Sequence, residues 1–450
     1  MKEFFVIPSE NYDIVYHSSS HKVYKLNSSA RMKLQDEAVF AALPAQPTLP
    51  ELLEMPMNEH KKPSINFMSS RTCNLGCKYC FAGEGEYSSS EIKPKFIAPD
   101  IYAKTLDSMI AKYPQGLEYI SFFGGEPLLD FKTIKETVLL TENKFEQAGI
   151  PLPRICISTN GMLFREPVLE FVKEHRIEVG LSLDGPKALN DLGRTCKGKD
   201  KNRISVYDQV LQVAAQLREH QIDYKVQITL NKHHINAYRE GIVKEWFDEM
   251  GDVIKTNITV CPVTTDDPEF QISGERDYAI LDLMAREMVH YYYKEYSKDH
   301  PERLASIFVS PMVFILNGKV ARSCAAGESM VLVDTDGAVY PCQMYCNNDE
   351  YLLGSVQTDY QMLTTNNNTY KRIHNDPCSE CIAQNLCAMW CKGLQLMTHG
   401  EESHVLPERC VFQKAVVEEN IKLLAQIKTQ KDSTSSKLIG KLYESLKVRS

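Results

Sequence analysis

The 450-residue sequence predicts an α/β fold whose core is a partial (β/α)6 TIM barrel. From residue 64 to about residue 296, strand-like and helix-like patterns alternate six times. Such alternation is typical of parallel strands joined by right-handed helical crossovers. Six units are too few for a complete eight-stranded barrel, and they suit an open one. The six predicted strands read SINFMSS, LEYISFF, RICIST, IEVGLSL, YKVQITL and NITVCPV.

The sequence divides into four predicted segments. Residues 1–62 form a small N-terminal module that begins with the hairpin-like stretches FFVIPS, YDIVYHS and HKVYKLN. Residues 63–300 form the partial barrel, and residues 301–411 form a cysteine-rich segment of short elements. Residues 412–450 carry C-terminal helices, the first of which reads QKAVVEENIKLLAQIK.

Composition and charge exclude two classes of partner. The formal net charge is −8 and no basic run occurs, so we expect no nucleic-acid partner. No stretch approaches the roughly 20 apolar residues of a membrane helix, so we expect no membrane partner. The first residues lack the apolar region and cleavage site of a signal peptide. We therefore predict a cytoplasmic protein.

Fourteen cysteines are many for a protein of a reducing compartment. Clustered thiols in such a compartment bind metal or do redox chemistry more often than they form disulfides. Three cysteines lie within residues 73–80, and eight lie within residues 324–410. Three others stand apart, and for these we expect a buried structural role: Cys156, Cys196 and Cys261.

Cys73, Cys77 and Cys80 follow the first predicted barrel strand with the spacing C-x3-C-x2-C. Zinc sites usually take their ligands as two pairs, and no second pair lies nearby. Three close thiolates instead suit a four-iron cluster with one open iron. The stretch CNLGCKYC resembles the CxxxCxxC signature of the radical S-adenosylmethionine (SAM) enzymes. The resemblance implies that SAM is the fourth ligand, and that its reductive cleavage yields a 5′-deoxyadenosyl radical that abstracts a hydrogen atom.

Polar or glycine-rich residues follow five of the six predicted strands, at the end where α/β barrels carry their active sites. Short motifs such as GGEP, TNG and SLDGP are each weak evidence for a functional site, because turns are common. Their occurrence in this order after successive strands is stronger evidence for an active site at these strand ends. No side chain stands out as an acid–base residue. By resemblance, the residues at SAM-binding positions are Tyr79, Gly124, Gly125, Glu126, Asn160, Ser182, Asp184 and Arg194.

The cysteines of residues 301–411 resemble the seven-cysteine SPASM pattern of peptide- and protein-modifying radical SAM enzymes. The stretch MVLVDTDGAVYPC predicts a hairpin with an Asp-Gly turn, which would bring Cys324 and Cys342 together. The resemblance implies two auxiliary 4Fe–4S clusters, and hence three clusters in all. The implied ligand sets are Cys324, Cys342 and Cys391 for one cluster, and Cys378, Cys381, Cys387 and Cys410 for the other.

Cys346 leaves the ligand set of the first auxiliary cluster open. Either its thiolate is the fourth ligand, or it is a bystander and the open iron accepts a substrate thiolate. Zinc is the rival metal for this region, since C-x2-C-x5-C-x3-C could fold around zinc in isolation. Iron–sulfur clusters are favoured beside a radical SAM core.

Two branches of SPASM enzymes compete for the function. Anaerobic sulfatase-maturing enzymes make formylglycine and carry an aspartate, the proposed base, directly after the YPC cysteine. Here VYPCQMY places Gln343 at that position, and an amide cannot take a proton at neutral pH. We therefore predict the other branch: a maturase that joins cysteine sulfur to carbon in a ribosomally made peptide, of sactipeptide or ranthipeptide type. Peptide maturases that form C–C or C–O cross-links are a further alternative.

This prediction implies two partners: a precursor peptide rich in cysteine, and a reducing electron donor such as flavodoxin or ferredoxin. Residues 1–62 could capture the leader of that peptide by strand addition, or could simply cap the barrel. A third hypothesis is a non-enzymatic iron–sulfur or zinc protein. That hypothesis gives no reason for GGEP and SLDGP at the strand ends.

Overall fold

The computed structural model describes ten stretches of the chain, which together include all fourteen cysteines. These stretches are residues 3–9, 12–27, 62–87, 92–198, 204–254, 256–299, 307–318, 324–361, 376–389 and 391–427. Parts of all four predicted regions therefore lie outside the described residues, and the longest are residues 28–61 of the N-terminal module and residues 428–450 of the C-terminal segment.

The N-terminal strands form a three-stranded antiparallel sheet in the order β1-β2-β3. Its members are β1 (Phe4–Pro8), β2 (Tyr12–His17) and β3 (Lys22–Asn27). Ser18, in the turn after β2, accepts hydrogen bonds from two side chains of the cysteine-rich segment. Gln384 Nε2 donates to its hydroxyl at 2.8 Å, and Asn385 Nδ2 donates to its carbonyl at 3.0 Å. The hairpin-like prediction for these residues is confirmed.

Six parallel strands form the centre of a second sheet and lie side by side in chain order. They are β4 (Ser64–Ser70), β5 (Tyr119–Gly124), β6 (Arg154–Thr159), β7 (Glu178–Ser182), β8 (Tyr224–Leu230) and β9 (Asn257–Pro262). All six predicted strands are therefore present, with ends shifted by at most two residues. This order places all six carboxyl ends along one edge of the sheet.

Helices connect these strands and follow the last of them. They are α1 (Pro99–Lys112), α2 (Phe131–Ala148), α3 (Glu166–Glu174), α4 (Lys187–Gly193), α5 (Val206–Glu219), α6 (Lys232–Ala237), α7 (Ile242–Met250), α8 (Glu275–Asp299) and α9 (Ser310–Asn317). Local sequence sets their ends: in α2, Asp130 accepts a hydrogen bond from the Thr133 amide and Gly149 adopts a left-handed conformation.

The cysteine-rich segment continues the same sheet. Its strands are β10 (Met330–Val333), β11 (Ala338–Tyr340), β12 (Gly354–Ser355) and β13 (Asp359–Tyr360). β10 pairs in parallel with β4, so the full order is β13-β12-β11-β10-β4-β5-β6-β7-β8-β9. The predicted hairpin is confirmed as β10 and β11, which pair antiparallel. That it joins the barrel sheet was not predicted.

Three further helices complete the described fold: α10 (Asp376–Ser379), α11 (Lys392–His399) and α12 (Pro407–Ile427). α12 packs against α8, where Arg286 pairs with Asp282, Glu418 and Glu419. One face of the parallel strands is buried, and aromatic side chains such as Phe67 and Phe122 on it are completely covered. Alternate residues of β7 and β8 are less buried and line the cavity described below. Among the described helices, we find none with the length and apolar character needed to span a bilayer.

Candidate active site

The cysteine loop after β4 lies against the glycine pair that ends β5. The Gly125 amide donates to the Ser70 carbonyl at 2.8 Å, and the Glu126 amide donates to the Thr72 carbonyl at 3.0 Å. A Cβ atom on Gly124 or Gly125 would lie closer than 3.0 Å to one of these two carbonyl oxygens. Gly124 also has a φ of 140°, which side chains disfavour. The GGEP sequence is therefore required for the loop to approach so closely.

Cys73, Cys77 and Cys80 line one cavity of about 320 Å³ together with Gly124 and Gly125. Burial, assisted by neighbouring thiolates of the same trio, raises the pKa of Cys73 to about 11 and that of Cys77 to about 12. In the described part of the chain, no three Cys, His, Asp or Glu side chains converge closely enough for a single metal ion. Ligands that bind separate irons of a cluster need no such convergence.

Asp184, at the end of β7, is fully buried and its carboxylate is completely engaged. It accepts hydrogen bonds from the Tyr79 hydroxyl, from Arg194 Nε at 2.8 Å and Nη2 at 3.1 Å, and from the Thr229 amide at 3.0 Å. His234 Nε2 donates to the Asp184 carbonyl at 2.6 Å. Tyr79, Arg194 and Ser182 line the cavity, so Asp184 orients two of the predicted SAM-binding side chains from behind.

Glu126 is also fully buried, and it ties the ends of β5 and β6 together. Its carboxylate accepts from the Leu128 amide at 3.0 Å, the Thr159 hydroxyl at 2.8 Å and the Asn160 amide at 2.8 Å. Burial raises its pKa to about 7 despite these donors. The Asn160 side chain lines the cavity and donates to Asn74 at 2.8 Å within the cysteine loop.

Cys324 and Cys391 lie near enough to Cys342 for their charges to act on it, and the ligand set implied for this cluster stays a prediction. Burial raises the pKa of Cys342 well above its usual value, and the thiolates of Cys391, Cys324 and Cys346 raise it further. Cys324 and Cys346 both pack against the apolar cluster that contains Cys342 and Tyr345.

The cysteines of the second implied set lie near Cys410, and their role as its co-ligands stays a prediction. Burial raises the pKa of Cys410, at the start of α12, to about 12. The thiolates of Cys387, Cys378 and Cys381 contribute in that order. Cys391 follows Cys387 closely in the sequence, yet its charge acts on Cys342 and Cys324, which is compatible with the crossed arrangement that the resemblance implies.

Cys346 lies between the first cysteine loop and Cys342. Besides its contact with the Cys342 group, it packs against Tyr87 in a second apolar cluster that also contacts Cys80. Asn347, the next residue, is tied to the same loop: its Oδ1 accepts from Arg71 at 3.1 Å, and its Nδ2 donates to the Tyr87 carbonyl at 2.7 Å.

Cys261 and Arg409 are among the cavity residues that sequence reasoning missed. Cys156 and Cys196 are buried as expected, but Cys261 is half-buried and lines the cavity. Its position at the end of the sixth strand is a signal that could have identified it. Arg409 lines the cavity beside Gln343, and its sequence neighbourhood offers no comparable signal.

Comparison with known proteins agrees with this geometry. The Radical SAM superfamily model matches residues 67–245, and the SPASM model, an iron–sulfur cluster-binding domain, matches residues 324–382. The cysteine-type anaerobic sulfatase-maturating enzyme of Clostridium perfringens is 24% identical over 342 residues, which cover 72% of this chain and 87% of that protein. The radical SAM cyclopropyl synthase TigE of Paramaledivibacter caminithermalis is 20% identical over 79% of this chain and 73% of its own length.

A solved structure of anSMEcpe with bound AdoMet superposes with a TM-score of 0.65 at 20% identity, covering 82% of this chain and all of that one. This similarity shows a shared fold. Together, the domain matches and the fold support SAM and iron–sulfur clusters as cofactors. The chain is an enzyme of the radical SAM superfamily that also carries an SPASM domain.

Proposed function

We propose that the enzyme joins cysteine sulfur to carbon in a cysteine-rich precursor peptide. The observation that carries this proposal is Gln343, whose neutral amide lines the cavity at the position where a sulfatase-maturing enzyme is expected to carry its basic aspartate. An amide cannot take the proton that such an oxidation releases. We infer further that residues 63–300 form a partial (β/α)6 barrel and residues 301–411 the auxiliary-cluster domain.

Sulfatase maturation is the second candidate, because curated relatives at 24% identity carry that name. A maturase that forms carbon–carbon bonds is also supported, by the relative named as a cyclopropyl synthase. Relatives at such low sequence identity can act on different substrates, and the residues that line the cavity are the ones that determine the substrate. Gln343 therefore decides our preference.

Three groups of thiols fit three 4Fe–4S clusters. We propose that Cys73, Cys77 and Cys80 hold the cluster to which SAM binds. SAM supplies there, when bound, a 5′-deoxyadenosyl radical that removes a hydrogen atom from the substrate. The two auxiliary clusters would be held by Cys324, Cys342, Cys346 and Cys391, and by Cys378, Cys381, Cys387 and Cys410. The contacts of Cys346 with the Cys342 group favour ligation over a bystander role.

The side chains around the first cluster have separable roles in this proposal. Gly124 and Gly125 expose their backbone to SAM, and Tyr79, Ser182 and Arg194 contact it. Asp184 holds Tyr79 and Arg194 in one orientation, so little rotamer freedom remains to be lost when SAM binds. Asp184, Glu126 and Asn160 then act as supports that shape the site.

A reducing partner such as flavodoxin or ferredoxin would supply electrons, in a cytoplasm that keeps these thiols reduced. The N-terminal sheet β1–β3 is proposed to belong to a module that binds the leader of the precursor. Its hydrogen bonds from Gln384 and Asn385 would fix that module beside the second auxiliary cluster. Strand addition to a free sheet edge is the mode of capture that we favour.

Anaerobic reconstitution tests the proposal. We expect about twelve irons per chain and, with SAM, a reductant and a cysteine-rich peptide encoded beside the gene, 5′-deoxyadenosine and a product lacking two hydrogens. A thioether also protects the bridged thiol from alkylation. About four irons would contradict the auxiliary clusters. Detection of an aldehyde on a sulfatase peptide would overturn thioether formation and would assign sulfatase maturation to the enzyme instead.

A further inference from the structure

Three cationic side chains line the cavity within the described residues, and two of them are neutralised. Arg194 Nε lies 2.8 Å from Asp184, and Lys225 Nζ lies 2.9 Å from Glu178. Arg409 forms no ion pair with any described residue. It is therefore the one cation of this wall whose charge is left for a ligand.

Arg409 is also short of hydrogen bonds. Its Nε is buried and has no acceptor among the described residues. The adjacent carboxylate, Glu408, accepts a hydrogen bond from Thr264 at 2.5 Å and forms no ion pair with Arg409 in the described part of the chain. A buried donor without an acceptor costs free energy, so the described residues neither neutralise this guanidinium nor satisfy all of its donors.

The location of Arg409 assigns it to the substrate rather than to SAM. It begins α12, and it lines the cavity with Gln343, Met344 and Leu394, all from the C-terminal part of the chain. The predicted SAM-binding residues come instead from the loops after the parallel strands. The Arg409 charge reaches the wall near β9: burial raises the pKa of Cys261, and the guanidinium opposes that rise.

We propose that Arg409 binds a carboxylate of the peptide substrate and so selects peptides that carry an acidic group near the reacting cysteine. This proposal rests on the proposed function in that the substrate is a peptide. Carboxylates are the anions that a peptide offers at neutral pH, since a free cysteine thiol is then mostly protonated. A guanidinium matches a carboxylate with two parallel N–H···O bonds. The carboxylate belongs either to an Asp or Glu side chain or to the C-terminus.

Affinity selection with the reconstituted, SAM-loaded full-length enzyme tests this. The probe is a synthetic library of short random peptides with one fixed cysteine, made with free and with amidated C-termini, and bound peptides are sequenced by mass spectrometry. We expect acidic peptides to be enriched about tenfold, the effect of one charge-assisted hydrogen-bonded contact. Arg409→Gln should lose this enrichment, and Arg409→Lys should keep part of it. Arg239→Gln, which removes an exposed arginine paired with Glu245, is the matched control and should keep all of it.

The two library forms separate the sources of the carboxylate. Enrichment of Asp and Glu in amidated peptides assigns a side chain, and enrichment that disappears on amidation assigns the C-terminus. Equal enrichment by the parent enzyme and by Arg409→Gln, both with full iron content, would overturn the proposal. A loss of SAM affinity in Arg409→Gln or Arg409→Lys would also overturn it, by assigning the guanidinium to SAM. Failure of the parent enzyme to bind any peptide would reject the proposed function itself, and this proposal with it.

Discussion

Arg71 and Asp334 form a buried, two-pronged ion pair, with 2.7 Å between Nε and Oδ1 and 2.5 Å between Nη2 and Oδ2. Arg71 precedes Cys73 by two residues, and Asp334 lies in the turn of the β10–β11 hairpin that leads to Cys342. Lys93 adds a second cation, at 2.8 Å from Asp334. Burial alone would raise the pKa of Asp334, but Arg71 and then Lys93 hold it below its usual value. This pair fixes the first cysteine loop against the cysteine-rich segment.

Removal of the Asp334 charge should therefore destabilise the protein strongly. Asp334→Asn leaves the buried guanidinium of Arg71 without its counter-ion, while Lys93 keeps Asp336 at 2.9 Å, and we expect a loss of about 3–5 kcal/mol in the free energy of unfolding. Denaturant titration of the reconstituted enzyme measures it. Asp359→Asn is the control. It also removes an ion pair, the one with Lys112 at 2.8 Å, but Asp359 is exposed. Equal free energies of unfolding for the two variants would show that the buried Arg71–Asp334 pair stabilises the protein no more than an exposed ion pair does.

Gly125 should be essential for SAM binding. In Gly125→Ala the new Cβ would meet the Thr72 carbonyl and push the cysteine loop away from β5. We expect SAM affinity to fall more than tenfold, equivalent to about 1.4 kcal/mol or more by calorimetry. Gly149→Ala is the control: it imposes the strain of a left-handed φ at the end of α2, where no atom lies within 4 Å of the new Cβ. It should cost stability but keep SAM affinity, and normal affinity in Gly125→Ala would disprove the steric argument.

Cys410 tests the second auxiliary group. Cys410→Ala should lower the iron content by about a third, from roughly twelve to roughly eight per chain, because the second auxiliary cluster would lose one of its four proposed protein ligands and has no SAM to replace it. Iron analysis and low-temperature electron paramagnetic resonance report the loss. Cys196→Ala removes a buried thiol that belongs to none of the three groups, and its iron content should stay unchanged. An unchanged iron content in Cys410→Ala would exclude this cysteine as a ligand.

Glu419 should make stability depend on acid pH. Burial would raise its pKa, but His290, Lys422 and Arg286 lower it to about 2. Because the folded value lies below the ordinary value of 4.5, the stabilisation is complete above pH 4.5 and declines as pH falls toward 2.

Thermal melts of the parent enzyme and of Glu419→Gln should therefore differ most near neutral pH, and the difference should narrow steadily below pH 4.5. The exposed carboxylate of Glu136 provides the control, since Glu136→Gln should track the parent enzyme throughout. A gap between parent and Glu419→Gln that stays constant with pH would argue against the ion pairs as its cause.

Much of the fold could be predicted because its signals are local. Each barrel strand is a short apolar run bounded by polar or turn residues, so even LEYISFF, which forms β5 as Tyr119–Gly124, is displaced by only two residues at its start. The two cysteine-rich regions were recognisable from their spacing along the chain, whereas the division of the second region into two ligand sets came from the resemblance to SPASM enzymes and stays a prediction.

Features that depend on distant partners could not be predicted. Nothing in the sequence indicates that Asp184 forms hydrogen bonds with Tyr79 and Arg194. It was therefore expected to bind the cofactor, although its carboxylate is already engaged by these side chains. Arg409 is one cation among many in the sequence, and only the packing of α12 shows that it lacks a counter-ion. The pairing of β10 with β4 joins strands of four and seven residues whose patterns fit many neighbours.

That last pairing has a consequence for how the protein is made. Met330 follows Ser70 by 260 residues, so β4 emerges from the ribosome long before the strand that covers its outer edge. At 5–20 residues per second, the delay is on the order of tens of seconds. An uncovered edge beside a parallel sheet invites pairing with other chains. Yield during overproduction should therefore respond to chaperone supply and growth temperature as strongly as to iron supply.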